Sequence, residues 1–284
     1  ADTAYVAIDR HMFDDRTPYI YRTDDRGQSW TRITAGLPEQ AYVWVIREDS
    51  RNPDVIYAGT ELGLFYSRDR GASWSELDLA NLPTAPVRDV VVHPEENDII
   101  VGTHGRGLYI LDDATPVQQF DEDVSDKTAH LFGIRPGMRH AQTFQRYGMG
   151  DRMYIAPNPP YGALISYYLD DAVAGQLGSE NAADNNQGEA DKPSFKLELL
   201  DSDGAVVRTI EADDLKAEPG INRVAWDLAT DPPKMRSDEF EPEGAFDRPP
   251  SGVEVMPGQY TARLTVSDTV QEQPLEVTVD PTLE

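Results

Sequence analysis

Short apolar runs separated by turn-forming residues dominate the chain. Residues 42–48 (Tyr-Val-Trp-Val-Ile-Arg-Glu), 54–58 (Asp-Val-Ile-Tyr-Ala) and 64–67 (Leu-Phe-Tyr-Ser) are rich in β-branched and aromatic side chains, and 74–79 (Trp-Ser-Glu-Leu-Asp-Leu) adds a fourth run. Asn52-Pro53, Gly59, Gly63, Asp69 and Gly71 punctuate them. This pattern predicts four short strands joined by tight turns. Between the third and fourth lies Ser67-Arg-Asp-Arg-Gly-Ala-Ser-Trp74, which matches Thr23-Asp-Asp-Arg-Gly-Gln-Ser-Trp30 upstream; both read [Ser/Thr]-x-Asp-x-Gly-x-[Ser/Thr]-Trp. Four short strands per repeat of about 40–45 residues are the signature of a β-propeller blade.

A third unit follows. Pro86–Pro94 matches the run that starts at Tyr42, Asp98–Thr103 matches Asp54–Thr60, and Gly107–Ile110 matches Gly63–Tyr66. The pattern then decays, because Leu111–Pro116 keeps an Asp but has neither Gly nor Trp. At the other end, Thr3–Ile8 aligns with the second strand of the later units, so the first blade is expected to lack its innermost strand. The expectation is about three blades over residues 1–116. A closed propeller needs four to eight, so the remaining blades are expected from the same precursor or from another chain.

The octapeptide chemistry suits a turn. Asp25 and Asp69 can accept bonds from their own loop, and Gly27 and Gly71 supply a positive φ. The hydroxyls of Thr23, Ser29, Ser67 and Ser73 tie the loop down, and Trp30 and Trp74 are expected to plug the blade interior. The motif resembles the Asp-box of the BNR-repeat propellers found in sialidases, some xyloglucan hydrolases and sortilin-type receptors. Together with Val45–Asp54 and Gly102–Asp113, it is similar to the closing blades of large secreted bacterial BNR-repeat proteins. The resemblance implies a structural role for the two Asp residues, an extracellular or periplasmic location, and a ligand face on the rim opposite these turns.

That opposite rim carries the turns between second and third strands. They contain Arg10, His11, Asp14, Asp15 and Arg16, then Glu61, then His104 and Arg106. Because they belong to consecutive blades, these side chains are expected to line one sector of a common face. Arg, His, Asp and Glu together suit recognition of a carboxylate or of sugar hydroxyls, or acid–base work. The alternative is that Gly102, Gly105 and Gly107 merely shape a turn and Arg106 pairs with an acid. Three function classes stay open. The first is recognition of a glycan or protein. The second is glycoside hydrolysis with catalytic residues mostly in other blades. The third is an assembly subunit.

Residues 117–150 read as a polar linker along the propeller edge, with His130–Ile134 as an apolar anchor. From 151 to 284 the pattern is again β: Ala163–Leu169, Phe195–Leu200, Val206–Ile210, Gly220–Leu228, Pro257–Val266 and Gln273–Val279. The Asp201-Ser-Asp-Gly204 turn predicts a hairpin, and Trp226 is the expected core plug. Antiparallel strands of this number and length argue a β-sandwich of immunoglobulin or fibronectin type, so the fold class is all-β throughout. Asp170–Lys192 and Pro232–Pro250 read as mobile loops. They lack the Asp-x-Asp-x-Asp-Gly spacing of a calcium loop.

Composition narrows the function. With no Cys, disulfides, Cys-based metal sites and Cys nucleophiles are excluded. The five His show no zinc spacing, so neither metal nor cofactor is expected. No apolar run is long enough to span a membrane. A net charge of −26, from 51 acidic against 25 basic residues, excludes nucleic acid and anionic membranes as partners. Many carboxylates with few lysines also indicate adaptation to high salt, which would screen the self-repulsion. The melting temperature is therefore expected to rise from low to molar salt; a flat or falling series removes the halophilic reading.

Overall fold

The computed structural model describes residues 2–79, 81–141, 156, 158–181, 194–233 and 251–283. It divides into two compact units, Ala1–Asp121 and Glu122–Glu284. The first unit consists of three antiparallel sheets, each a propeller blade. Strands β1 (Ala4–Ala7), β2 (Ile20–Thr23) and β3 (Thr31–Arg32) form the first. The second runs β4 (Val43–Glu48), β5 (Ile56–Thr60), β6 (Gly63–Ser67) and β7 (Ser75–Glu76). The third holds β8 (Val87–Val92), β9 (Ile99–Thr103) and β10 (Leu108–Leu111). In the first sheet β1 stands where β5 stands in the second. In the third, the helix α1 (Thr115–Gln119) follows β10 in place of a fourth strand.

The two octapeptides fold alike. The Thr23 hydroxyl donates to Asp25 Oδ1 at 2.7 Å and accepts from the Gly27 N–H at 2.8 Å. Ser67 does the same with Asp69 at 2.6 Å and Gly71 at 2.8 Å. Each carboxylate also takes two bonds from the second hydroxyl residue, at 2.8 and 2.6 Å from Ser29 and at 2.9 and 2.6 Å from Ser73. The backbone is left-handed at two successive residues, Arg26 (φ 62) with Gly27 (φ 86) and Arg70 (φ 57) with Gly71 (φ 90). The sequence pattern pointed only to the glycines.

The tryptophans differ. Trp74 is 4% exposed and its indole N–H donates to the Ile33 carbonyl at 2.8 Å, in the segment that leaves the first sheet. A Cβ on Gly71 would overlap Ile33, and one on Gly36 would overlap the Trp74 carbonyl, so the two sheets meet where neither glycine can be replaced without movement. Trp30, expected to plug its blade in the same way, is instead 44% exposed. The indole is covered by the neighbouring sheet rather than by its own, and no described segment offers Trp30 the cover that Ile33–Leu37 gives Trp74.

A buried polar network joins α1 to the second and third sheets. Gln118 donates to both oxygens of Asp49 at 3.0 and 2.9 Å and to Asn97 Oδ1 at 2.7 Å. Tyr57 donates to Asp49 at 2.9 Å, and Asn97 reaches Thr115 at 3.2 Å. Asp49, Asn97 and Asp113 are all buried. Burial and the adjacent Asp49 charge push the Tyr57 phenol up, so it remains a donor.

The second unit is a two-sheet sandwich. One sheet is β11 (Ala129–Leu131), β13 (Ala163–Leu169) and β16 (Gly220–Trp226), in the order β11-β13-β16. The other is β12 (Gly137–Arg139), β18 (Thr269–Val279), β17 (Gly258–Val266), β14 (Phe195–Leu200) and β15 (Val206–Glu211), in that spatial order. Leu131, Ile165, Tyr167 and Trp226 from the first sheet share one core with Leu197, Leu264, Leu275 and Val277 from the second. Trp226 is fully buried, and its N–H donates to the Ala229 carbonyl at 2.8 Å.

Two sequence expectations change here. The 117–150 segment is not a plain linker, because it supplies β11 and β12. Gln271 and Gln273 of β18 hold the β11 backbone through three bonds of 2.9–3.1 Å, which a polar stretch can make without apolar weight of its own. Asp170–Lys192 opens with a helix, α2 (Asp171–Asn181), rather than a loop. The Asp170 carboxylate caps it at the Val173 N–H, 2.7 Å away, and Ala174 and Leu177 reach the core. Residues 182–193 and 234–250 lie outside the described residues.

Two outcomes follow. Trp74→Ala should cost about 3–5 kcal/mol in urea unfolding, and Trp30→Ala less than about 1 kcal/mol; equal losses would overturn the account of the sheet junction. Asp25 is held down to about 2 by the Ser29 hydroxyl, then the Ser29 N–H and the Thr23 hydroxyl. For Asp69 burial opposes ionisation, but the bonds from Ser67, Ser73 and Ala72 outweigh it and its carboxyl also lies low. A carboxyl lowered by folding contributes stability above its unfolded value and loses it as pH falls to the folded one. Wild-type stability should therefore fall between about pH 4 and about pH 2. Asp25→Asn should remove part of that slope, and an unchanged slope in chemical denaturation would contradict the assignment.

Candidate ligand-binding face

The top of the first unit is built by the starts of β4 and β8 and by the turns β1–β2, β5–β6 and β9–β10. The inner strands β4 and β8 lie side by side and share one irregularity. Val43 pairs with Thr60 and Val45 with Gly59, so Trp44 has no partner in the ladder. Val87 pairs with Thr103 and Asp89 with Gly102, which leaves Arg88 in the same position. A bulge of this kind re-aims a side chain and shifts the pairing register by one residue across it. The turns above repeat too: the Glu61 N–H donates to the Tyr42 carbonyl at 3.1 Å, as the His104 N–H does to the Pro86 carbonyl at 2.8 Å.

Around the two bulges the side chains converge. His11 stacks on Tyr42 with ring centroids 4.9 Å apart and meets Trp44 edge-on at 5.0 Å. Tyr42 and Trp44 are themselves edge-on at 5.2 Å. The Trp44 indole N–H donates to Glu61 Oε2 at 3.2 Å. Asp9 holds His11 twice, with its carboxylate 2.7 Å from Nδ1 and accepting the His11 N–H at 2.9 Å. The Arg88 guanidinium carbon lies 3.3 Å from the Trp44 ring centroid. Burial first, then the hydrogen bond and charge of Glu61, push the Tyr42 phenol up to about 12, so it is a neutral donor at every physiological pH.

The eight residues expected on a common face separate into three groups. His11 and Glu61 meet in the aromatic cluster. Asp14, Asp15 and Arg16 instead line an open groove of about 750 Å³ with Arg32, Glu39 and Gln40. There Asp15 is occupied by Thr17 and Tyr19, and Arg10 is drawn to it at 3.5 Å. His104 and Arg106 sit exposed on the β9–β10 turn, where Gly105 (φ 78) and Gly107 (φ 90) set the backbone, and Arg106 has no ion pair with the described residues. The loop between β1 and β2 is twelve residues long, and after the short helical turn at His11–Phe13 the backbone is left-handed at Asp14 (φ 59), so Asp14–Arg16 leave the cluster that His11 joins.

Sequence reasoning missed Asp9, Tyr42, Trp44 and Arg88. The signal was present in the aligned repeats, where Trp44 and Arg88 are large residues at the same position of two inner strands. Among the described residues no group of three or more His, Asp or Glu side chains is placed to hold a metal ion, and no helix is long and apolar enough to cross a membrane.

Residues 18–129 match the Sortilin-Vps10 family (sortilin, neurotensin receptor 3). No curated protein matches the chain. Among solved structures it is similar to the GH74 xyloglucanase of Xanthomonas campestris, with 22% identity and a TM-score of 0.34, covering 48% of this chain and 23% of that one. PorZ of the type-IX secretion system of Porphyromonas gingivalis shows 14% identity and a TM-score of 0.32, over 97% of this chain and 37% of that one. A leech intramolecular trans-sialidase shows 12% identity and a TM-score of 0.25, over 91% and 36%. The chain thus spans less than two fifths of the length of each.

Proposed function

We propose that this chain is part of an extracellular recognition protein. Asp-box propeller blades of bacterial BNR type present a glycan-binding face in it, and the sandwich is an accessory module of immunoglobulin type. The observation that carries the reading is the convergence of His11, Tyr42 and Trp44 with Glu61 and Asp9 on one face, drawn from the β1–β2 and β5–β6 turns and the start of β4. Aromatic rings offer flat apolar surface to a sugar ring, and carboxylates accept from its hydroxyls. Ring contacts and hydrogen bonds among these groups already hold them in place, so little ordering is needed on binding.

On a glycan array the wild-type chain should bind without turnover. Trp44→Ala and His11→Ala should each weaken binding about tenfold to a hundredfold, while Trp30→Ala leaves it intact. Wild-type-like binding by both cluster variants would sink this reading. Release of a chromogenic aglycone would replace it with glycoside hydrolysis, and co-purification with a fixed protein partner, without glycan binding, with an assembly role.

A further inference from the structure

The charge on this face is distributed in a way that its surroundings do not explain. In a chain with 51 acidic and 25 basic residues, an arginine has no shortage of partners. Several arginines of the first unit use them: Arg22 pairs with Asp24, Arg26 with Asp2 and, beside Arg88, Arg47 with Asp89. Arg88 makes no ion pair and no side-chain hydrogen bond with the described residues, although Asp89 is next to it in sequence. Asp89 is already held by Arg47 at 2.8 Å. Instead Arg88 is exposed and lies over the Trp44 ring, which fixes its position while leaving the rim of N–H donors open. It borders a groove of about 460 Å³ that also includes Trp44, Ile46, Arg47 and Tyr5.

We infer that Arg88 is the anchor for a carboxylate on the ligand, and that the ligand is a short acidic oligosaccharide bearing uronic-acid residues. This rests on the glycan-binding reading above and adds the substrate class. A guanidinium held by stacking presents a fork that fits a carboxylate bidentately. Asp89 borders the same groove, Glu61 holds the Trp44 indole and Asp9 holds His11; these carboxylates would repel a bare anion, but a uronosyl residue carries hydroxyl donors on the same ring as its carboxylate and satisfies both signs of charge. An acidic peptide supplies carboxylates without those hydroxyls. The net charge of −26 sets the length. A polyanion would be repelled by the rest of the surface, whereas one or a few carboxylates feel mainly the nearby cation within a Debye length of about 8–10 Å.

The test is calorimetric titration with α-1,4-linked trigalacturonate, neutral α-1,4-linked galactotriose and triglutamate, using wild type, Arg88→Gln and Arg88→Lys. Trigalacturonate should bind wild type at least about tenfold more tightly than galactotriose. Arg88→Gln should abolish that preference while galactotriose binding persists, and Arg88→Lys should restore it only in part. An acid preference that survives Arg88→Gln, equal binding of acid and neutral sugars, or tighter binding of triglutamate would overturn the inference and leave glycan recognition standing. Failure of wild type to bind either sugar would overturn both. Unchanged melting of the variants keeps a folding defect out of the comparison.

Discussion

Two sheets can pack their apolar sides into one core, as the first and second do here, only if the turn at their junction brings no unsatisfied backbone with it. Asp69 meets that condition. Its carboxylate accepts from the hydroxyls of Ser67 and Ser73 and from the Ser73 N–H, while Ser67 takes the Gly71 N–H. The loop's polar groups are then paired, within the loop and at Arg70 to its surroundings, where the N–H donates to the Asp54 carbonyl and the carbonyl accepts from Arg22. Only because of this can Gly71 lie against Ile33, and Trp74 cross to the Ile33 carbonyl and be buried there. The stacking of the second sheet on the first depends on that loop. So does the placement of β4 beside the first sheet's long loop, and with it the meeting of His11, Tyr42 and Trp44.

The two ends of the inner strands have opposite characters. At the bottom, the buried Asp49 and Asn97 are bonded to the half-buried Gln118, a network that fixes α1 against the second and third sheets. At the top, Glu61, Asp9 and Arg88 have bonding capacity left over and face the solvent. The same residue types that give rigidity where they are enclosed thus provide recognition where they are open. The rigid end holds the open end in place.

Much of this was legible before any coordinates. In the first unit β1 and β4 to β10 followed from β-branched runs, turn residues and the alignment of the repeats, and the octapeptides marked where β6 meets β7. Other features were not, for identifiable reasons. The covering of Trp74 and the exposure of Trp30 depend on which sheet lies next to each, and two identical motifs carry no information about their neighbours. β11 was hidden because its fastening comes from Gln271 and Gln273, far away in sequence. α2 was hidden because, among its described residues, Val173, Ala174 and Leu177 are the ones that meet the core, too few to lift a window of Asp, Gly and Gln. At the candidate face, His11 and Glu61 were found because they lie on turns. Tyr42, Trp44 and Arg88 were overlooked because they lie in or beside strands, where an aromatic or a long side chain reads as ordinary sheet.

The paired bulges at Trp44 and Arg88 separate what each inner strand must conserve from what it is free to vary. Val43 and Val45, like Val87 and Asp89, keep the hydrogen-bonded register with the next strand, so they answer to the architecture. The residue between them answers to no partner in the ladder, and the two blades already fill that place with an indole and a guanidinium. Each blade therefore contributes one interchangeable socket to the same surface. A scaffold built in this way can change the chemistry it displays one blade at a time, by single substitutions, while its framework stays as it is.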